Sequence, residues 1–260
     1  MPLCLTPRIE RIAQAVTGRS ESFFDSDLQA VTAQLHAAVS GRRILVAGGA
    51  GSIGSATIHE LLAFAPAALA VLDPSENNLA ELVRSLRSRP QGFAASLDIQ
   101  PLDYGSPLAA GWLARQAPFD LVLSFAALKH VRSERDEFSL CRMLEVNLVK
   151  GDRFLAACRR AGHGTTGIFY VSTDKAANPV SLMGASKRAM ELLLWAHAQP
   201  GAPASLLDGG RADPVARITT TRFANVAFSD GSLPWGFLQR LEKDQPLAAP
   251  GDIRRYLVSP

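Results

Sequence analysis

Short apolar runs alternate along the chain with longer stretches in which apolar positions recur at helical spacing. The runs at 44–47, 69–73, 121–125, 168–172 and 218–223 predict strands, and the stretches 52–64, 75–87, 107–116, 140–161 and 184–198 predict helices. Strands that are apolar throughout need cover on both faces, and alternation with helices supplies it. The expected fold is therefore α/β, a doubly wound parallel sheet. Residues 1–41 precede the first strand and read as a helical leader, a packing arm. Within it, 26–39 predicts an amphipathic helix with Leu28, Val31 and Leu35 on one face, Asp25 or Ser26 as N-cap and Gly41 as its stop. The stretch 199–214, rich in Gly, Pro, Ala and Asp, reads as a long surface loop.

Composition narrows the class. Of 260 residues, 47% are hydrophobic and 20% charged, which excludes a disordered or fibrous chain. Lys+Arg 27 against Asp+Glu 24 leaves +3 with both signs interspersed, so charge makes no case for a nucleic-acid partner. The longest apolar stretch, 61–72, contains Pro66 and falls short of the roughly twenty residues of a membrane-spanning helix. No membrane span or secretory signal is expected. Cys4, Cys141 and Cys158 lack CxxC spacing, which implies reduced thiols in the cytoplasm and no metal site.

The first strand runs straight into Gly48-Gly49-Ala50-Gly51-Ser52-Ile53-Gly54, and a helix follows. The glycines Gly48, Gly51 and Gly54 in a G-x-x-G-x-x-G spacing suit a tight turn, close backbone approach to a pyrophosphate and tight packing of helix on strand. The amides of Ser52 and Ile53 would then meet the phosphates at the positive end of the helix. Asp73 stands nineteen residues beyond Gly54, near the interval of about twenty at which an acid takes the ribose hydroxyls of a dinucleotide. The following Pro74-Ser75-Glu76-Asn77-Asn78 holds no Arg or Lys for a 2′-phosphate, so NAD is expected in preference to NADP, the alternative, with Ser75 and Asn78 beside it. Asp98 and Ile99, after a third short strand, are candidates for contact with the adenine.

At the ends of later strands stand Phe125-Ala126-Ala127-Leu128-Lys129-His130, Ser172-Thr173-Asp174-Lys175, Met183-Gly184-Ala185-Ser186-Lys187 and Arg222-Phe223-Ala224-Asn225-Val226. In open α/β sheets that edge is where ligands sit. With the glycine loop, these segments resemble the nucleotide-sugar 4,6-dehydratases of bacterial polysaccharide biosynthesis, a branch of the extended short-chain dehydrogenase/reductase superfamily. The run 172–179 carries the resemblance most tightly, matching Ser-Thr-Asp-Lys-Ala-x-Asn-Pro. Lys187 matches the lysine of the superfamily's Tyr-x3-Lys pair, whereas Met183 stands at the tyrosine position, as in a larger, often membrane-anchored subgroup.

The resemblance implies a three-step reaction: hydride leaves carbon 4 of the hexose, water is eliminated across carbons 5 and 6, and hydride returns to carbon 6. It assigns Lys175 to the carbon-5 proton and Asp174 to the departing hydroxyl, beside Thr173, and both assignments require neutral forms. Lys187 would sit near the cationic nicotinamide, where two like charges about 5 Å apart cost about 3 kcal/mol, and would accept the carbon-4 hydroxyl proton directly or through water. Ser172, Val226, Phe125, Ala126, Ala127 and Lys129 are implied near the cofactor. Lys129, His130, Asn225, Arg222 and Arg255 are implied at the UDP-sugar, for which UDP-N-acetylglucosamine is the expected substrate. An arginine fork suits a diphosphate because it donates two parallel bonds. The buried-helix position of Asn147 fits either a structural hydrogen bond or catalysis.

The expected organisation is 1–41 leader, 42–226 NAD-binding Rossmann domain and 227–260 partial substrate lobe. Relatives continue beyond the point matching Pro260, so this lobe is either abbreviated or part of a longer chain. Homo-oligomerisation through helices 140–161 and 184–198 is implied by the resemblance. Two other readings stand beside the dehydratase: an NAD-dependent UDP-sugar 4-epimerase, for which the Asp174-Lys175 pair has no task at carbon 5, and a non-catalytic NAD-binding protein, suggested by Met183.

Overall fold

The computed structural model describes residues 24–90, 92–129, 134, 136–211, 217–249, 251 and 256–258, with 11, 12, 14, 15 and 18 near the start. Its strands β1 (Arg43–Ala47), β2 (Ala68–Leu72), β3 (Ser96–Gln100), β4 (Leu121–Ser124), β5 (Gly167–Thr173) and β6 (Ile218–Phe223) form one sheet in the order β3-β2-β1-β4-β5-β6. Every pairing in it is parallel. The helices are α1 (Asp25–Val39), α2 (Ser52–Leu61), α3 (Glu76–Arg87), α4 (Pro107–Leu113), α5 (Glu137–Leu144), α6 (Lys150–Arg160), α7 (Leu182–His197) and α8 (Leu233–Glu242). A short parallel pair, β7 (Asn225–Val226) with β8 (Leu257–Val258), lies beyond the main sheet.

The unbroken apolar character of β1 and β2 hides a period of two. Ile44, Val46, Leu69 and Val71 join Ile58 of α2 and Leu79, Leu82 and Leu86 of α3 in one core. Leu45, Ala47, Ala70 and Leu72 join Phe154 and Leu155 of α6 and Met190 and Leu194 of α7 in the other. Successive side chains point to opposite faces, and both faces are covered, so the fold is the doubly wound, Rossmann-like α/β arrangement. Strand order reverses between β1 and β4, which opens a crevice at their carboxyl ends.

Several expected boundaries are corrected. The single helix over 140–161 is divided by a π-helical turn, Glu145–Val149. Its wider winding accompanies an inward Asn147, 2% exposed, which accepts from the Leu128 amide (2.9 Å) and donates to the Leu128 carbonyl (2.9 Å) and Ser186 Oγ (3.0 Å). Asp98 and Ile99 lie inside β3, opposite Ala70 and Val71, rather than past its end. Neither Asp25 nor Ser26 is the N-cap of α1: Phe24 holds that position, and Asp25 falls in the first turn. Leu28 is exposed, Val31 and Leu35 are half-buried, and only Val39 at the far end is buried. Gly41 follows with φ +68.

The expected surface loop over 199–214, described to residue 211, is tied down from beneath. Asp152 of α6 meets His197 Nε2 (2.7 Å), the Leu206 amide (2.9 Å) and the Ser205 hydroxyl. Arg159 donates to the carbonyls of Pro203 (2.6 Å) and Ala202 (3.2 Å). Ala204 and Ser205 are consequently fully buried. Among the described residues no helix is long and apolar enough to cross a membrane, and no cluster of three or more His, Cys, Asp or Glu could hold a metal ion.

Candidate active site

The glycine loop sits at the crevice with little space to spare. Gly48 has φ +71, and a Cβ there would stand 2.6 Å from the Ala126 amide nitrogen. At Gly54 a Cβ would fall 2.4 Å from the Gly48 carbonyl oxygen and 2.7 Å from Gly49 Cα. Gly51 differs: its nearest neighbour would be the Gly48 oxygen at 3.5 Å, so the space before it is open. It is also the N-cap of α2 and offers no capping side chain, leaving the amides of Ser52 and Ile53 directed out of the helix end. A cradle that is closed by backbone at Gly48 and Gly54 and open at Gly51 fits a cofactor diphosphate.

Asp73 follows β2 directly. Its carboxylate accepts from the Ala50 amide (3.2 Å) and the Ser75 amide (3.0 Å), fastening the acid to the glycine loop. Burial raises its pKa, and these two bonds lower it by less. The Ser75 hydroxyl caps α3 by accepting from the Asn78 amide (3.3 Å).

At the end of β5, Thr173 Oγ1 donates to Asp174 Oδ1 (2.9 Å), and Lys175 Nζ bridges Asp174 Oδ1 (3.1 Å) and Asn225 Oδ1 (3.1 Å). Burial pushes the Asp174 carboxyl up, but the bonds from Thr173 and Lys175 outweigh it and hold the group below its ordinary value. The pair is thus folded as an ion pair, opposite to the neutral forms the chemistry asks for. Gly184 at the start of α7 packs on the Lys175 carbonyl, which a Cβ would approach to 2.7 Å.

Met183 and Lys187 are both buried on α7. The Met183 amide donates to Glu134 Oε1 (2.8 Å), which ties the segment after β4 to the helix. Lys187 Nζ donates to the Val171 carbonyl (3.0 Å) and lies 3.6 Å from Met190 Sδ. Burial lowers its pKa to about 8, with Glu191 acting in the other direction. Sequence reasoning assigned that depression to the nicotinamide; here the protein interior produces it.

Arg222 was expected at a diphosphate, and Ser172 at the cofactor. Instead Arg222 Nε and Nη2 fork onto Glu191 Oε1 (2.9 Å) and Oε2 (2.7 Å), and the Ser172 hydroxyl donates to Glu191 Oε1 (2.6 Å). A buried carboxylate attracts the nearest donors, and Glu191 lies one helical turn beyond Lys187. That i,i+4 spacing was the available sequence signal for Glu191. The Asp230 amide, in the stretch after Asn225, donates to Ser52 Oγ (3.2 Å) across the glycine loop, a contact that spacing along the chain does not display. Lys129 reaches the same place: burial lowers its pKa, and the Asp230 charge raises it.

Phe125, Ala126 and Ala127 line the step from β4, with the Phe125 amide on the Ala47 carbonyl (2.8 Å). Val226 lies in β7, and Asn225 Nδ2 donates to the Tyr256 carbonyl (3.0 Å). His130 and Arg255 lie outside the described residues.

Arg222, Ser172 and Arg188 hold the Glu191 carboxyl at about 2, against an ordinary 4.5. Because the folded value is depressed, the unfolded chain binds more protons between those values, and this contribution to stability is lost as pH falls from about 4.5 to about 2. In an acid titration followed by circular dichroism, Glu191→Gln is expected to show a shallower loss of stability over that window than the parent. Equal slopes would mean that Glu191 is not held this way.

Comparisons with known proteins bear on the family and the fold. The sequence model of a family described as "Polysaccharide biosynthesis protein" matches residues 44–259. An uncharacterized membrane protein of Methanocaldococcus jannaschii is 30% identical over 84% of this chain and 59% of its own length. The UDP-N-acetylglucosamine 4,6-dehydratase (inverting) of Campylobacter jejuni is 27% identical over 74% of this chain and 52% of its own. The structure of DesIV, a dTDP-glucose 4,6-dehydratase from Streptomyces venezuelae with NAD and TYD bound, matches at TM-score 0.62 and 27% identity over 84% of this chain and 68% of that one. UDP-sugar 4-epimerases are also among the similar proteins and structures. The chain spans little more than half the length of the two relatives named first.

Proposed function

Because this chain belongs to the polysaccharide biosynthesis protein family, we propose that it is an NAD-dependent 4,6-dehydratase acting on a UDP-linked N-acetylhexosamine, with UDP-N-acetylglucosamine as substrate. The observation that carries this reading is the Asp174–Lys175 pair at the end of β5, with Lys175 Nζ 3.1 Å from Asp174 Oδ1 and with Gly184 of α7, the helix that carries Lys187, packed on the Lys175 carbonyl. Epimerisation at carbon 4 needs no acid/base pair at carbon 5, whereas elimination does.

The loop 48–54 and the first amides of α2 would hold the cofactor diphosphate, and Asp73 the adenosine ribose. When bound, NAD supplies the acceptor and donor of hydride. Lys187, near 8, exchanges its proton close to neutral pH and can take up the carbon-4 hydroxyl proton. As folded, Asp174 and Lys175 are an ion pair, so once carbon 4 is a ketone the elimination step begins with proton transfer from Lys175 to Asp174 along their 3.1 Å contact. Neutral Lys175 then removes the carbon-5 proton, the C–H electrons become the carbon 5–carbon 6 double bond, and the carbon-6 hydroxyl leaves as water with the proton from Asp174. Thr173 and Asn225 hold the two side chains in register throughout. The same reading includes self-association through the helical stretches 140–161 and 184–198, on which Leu144, Leu192 and Trp195 stand exposed.

The test is incubation with NAD and UDP-N-acetylglucosamine in deuterium oxide, followed by proton NMR and mass spectrometry. A 4-keto-6-deoxy sugar that has lost water and gained deuterium at carbon 5 is expected. Unchanged mass with UDP-N-acetylgalactosamine appearing would make the chain an epimerase. No turnover by a chain with NAD bound would overturn the enzymatic reading.

A further inference from the structure

Two successive residues of β5 receive two successive turns of α7. Val171 takes the Lys187 ammonium on its carbonyl (3.0 Å), and Ser172 donates its hydroxyl to Glu191 (2.6 Å). Across the sheet Ser172 is paired in register with Arg222, and the Arg222 fork closes on both oxygens of the same carboxylate. Arg188 adds a bond to Glu191 Oε2 (3.1 Å) from the surface. The Glu191 side chain is only 8% exposed, while those of Arg222 and Arg188 are 38% and 46% exposed. One buried carboxylate therefore balances Lys187 and two arginines.

We propose that Glu191 is a positioning residue that controls the proton on Lys187, and that Arg222 sets how much of the Glu191 charge Lys187 feels. The groups that face Lys187 among the described residues are the Val171 carbonyl of β5 and Met190 Sδ and Glu191 of its own helix. Behind Glu191 stand Arg222 of β6, Arg188 and Ser172. Glu191 is thus the one carboxylate among the groups named here, and its attraction counters the desolvation that favours neutral Lys187. Arg222 works through Glu191: by neutralising part of the carboxylate, it lets Lys187 release its proton more readily. The link to catalysis rests on the dehydratase reading, whereas the charge relation does not.

This arrangement makes two substitutions act in opposite directions. With protein isotope-labelled at the ε-carbons of its lysines, and the Lys187 resonance assigned by its loss in Lys187→Arg, the titration midpoint is read directly by NMR. Glu191→Gln removes the attraction but leaves both arginines, so the midpoint is expected to fall by about one pH unit or more, the size of one partly screened charge. Arg222→Met leaves the carboxylate less neutralised, and the midpoint is expected to rise by about half a pH unit. Glu191→Asp, which keeps the charge, should stay nearer to the parent than Glu191→Gln. Thermal melting of each variant checks folding, and if Glu191→Gln does not fold, Arg222→Met and Glu191→Asp decide the matter. Midpoints that do not move, or that move the same way in the glutamine and methionine variants, overturn the proposal. The titration needs no substrate: failure to dehydrate UDP-N-acetylglucosamine would leave it standing, and unmoved midpoints in an active enzyme would sink it alone.

Discussion

Lys175→Met is expected to lower the rate of water elimination by about 10²–10⁴-fold, the range for loss of a positioned acid/base group, without releasing NAD. The amine hydrogen-bonds to Asp174 and Asn225, both outside the glycine loop, so its removal is expected to act on the elimination step and not on the cofactor seat. The substitution also strips Asp174 of the proton it must receive. The Thr173 hydroxyl and the residue-175 amide still bond the carboxylate, which would stay ionised and unable to protonate the departing hydroxyl. Deuterium incorporation at carbon 5 should vanish together with product, while NAD titration by protein fluorescence should match the parent. Elimination near the parent rate would show that another group removes the carbon-5 proton.

Gly54→Ala is expected to cost about 1–3 kcal/mol of stability, as overpacking does, and to weaken NAD binding more than ten-fold. The added methyl would meet the Gly48 oxygen at 2.4 Å and Gly49 Cα at 2.7 Å, and both are backbone atoms that cannot rotate away. Gly51→Ala separates the two effects. Its methyl has no neighbour closer than 3.5 Å within the protein, so the melting temperature should barely change, yet it occupies the open side of the cradle and should also weaken NAD binding. Thermal melts and calorimetric titration with NAD check both variants. A Gly51→Ala protein that binds NAD like the parent would place the diphosphate elsewhere.

Much of the scaffold was legible because its signals are local. The apolar runs of β1 and β2 predict strands covered on both faces, and the glycine spacing after β1 predicts a tight turn into a helix; both kinds of information reside in neighbouring residues. The π-helical turn at 145–149 escaped because its apolar positions still repeat like a helix. What marks it is Asn147, whose partners Leu128 and Ser186 lie 19 and 39 residues away. The loop after 198 looked superficial because its composition is that of a turn, whereas its burial is imposed by Asp152 and Arg159.

The fate of polar side chains divides the two kinds of knowledge most clearly. By itself the sequence determined the α/β alternation, the glycine loop with Asp73 behind it, and the placing of Asp174 and Lys175 at the end of a strand, since periodicity and spacing along one chain suffice for these. Only the tertiary structure decided that Arg222 turns to Glu191 across 31 residues, that Asp230 reaches Ser52 across 178, and that burial depresses Lys187. Those outcomes depend on which charges share a low-dielectric space once the sheet has closed, and pairing between distant polar residues leaves no period for a sequence to display.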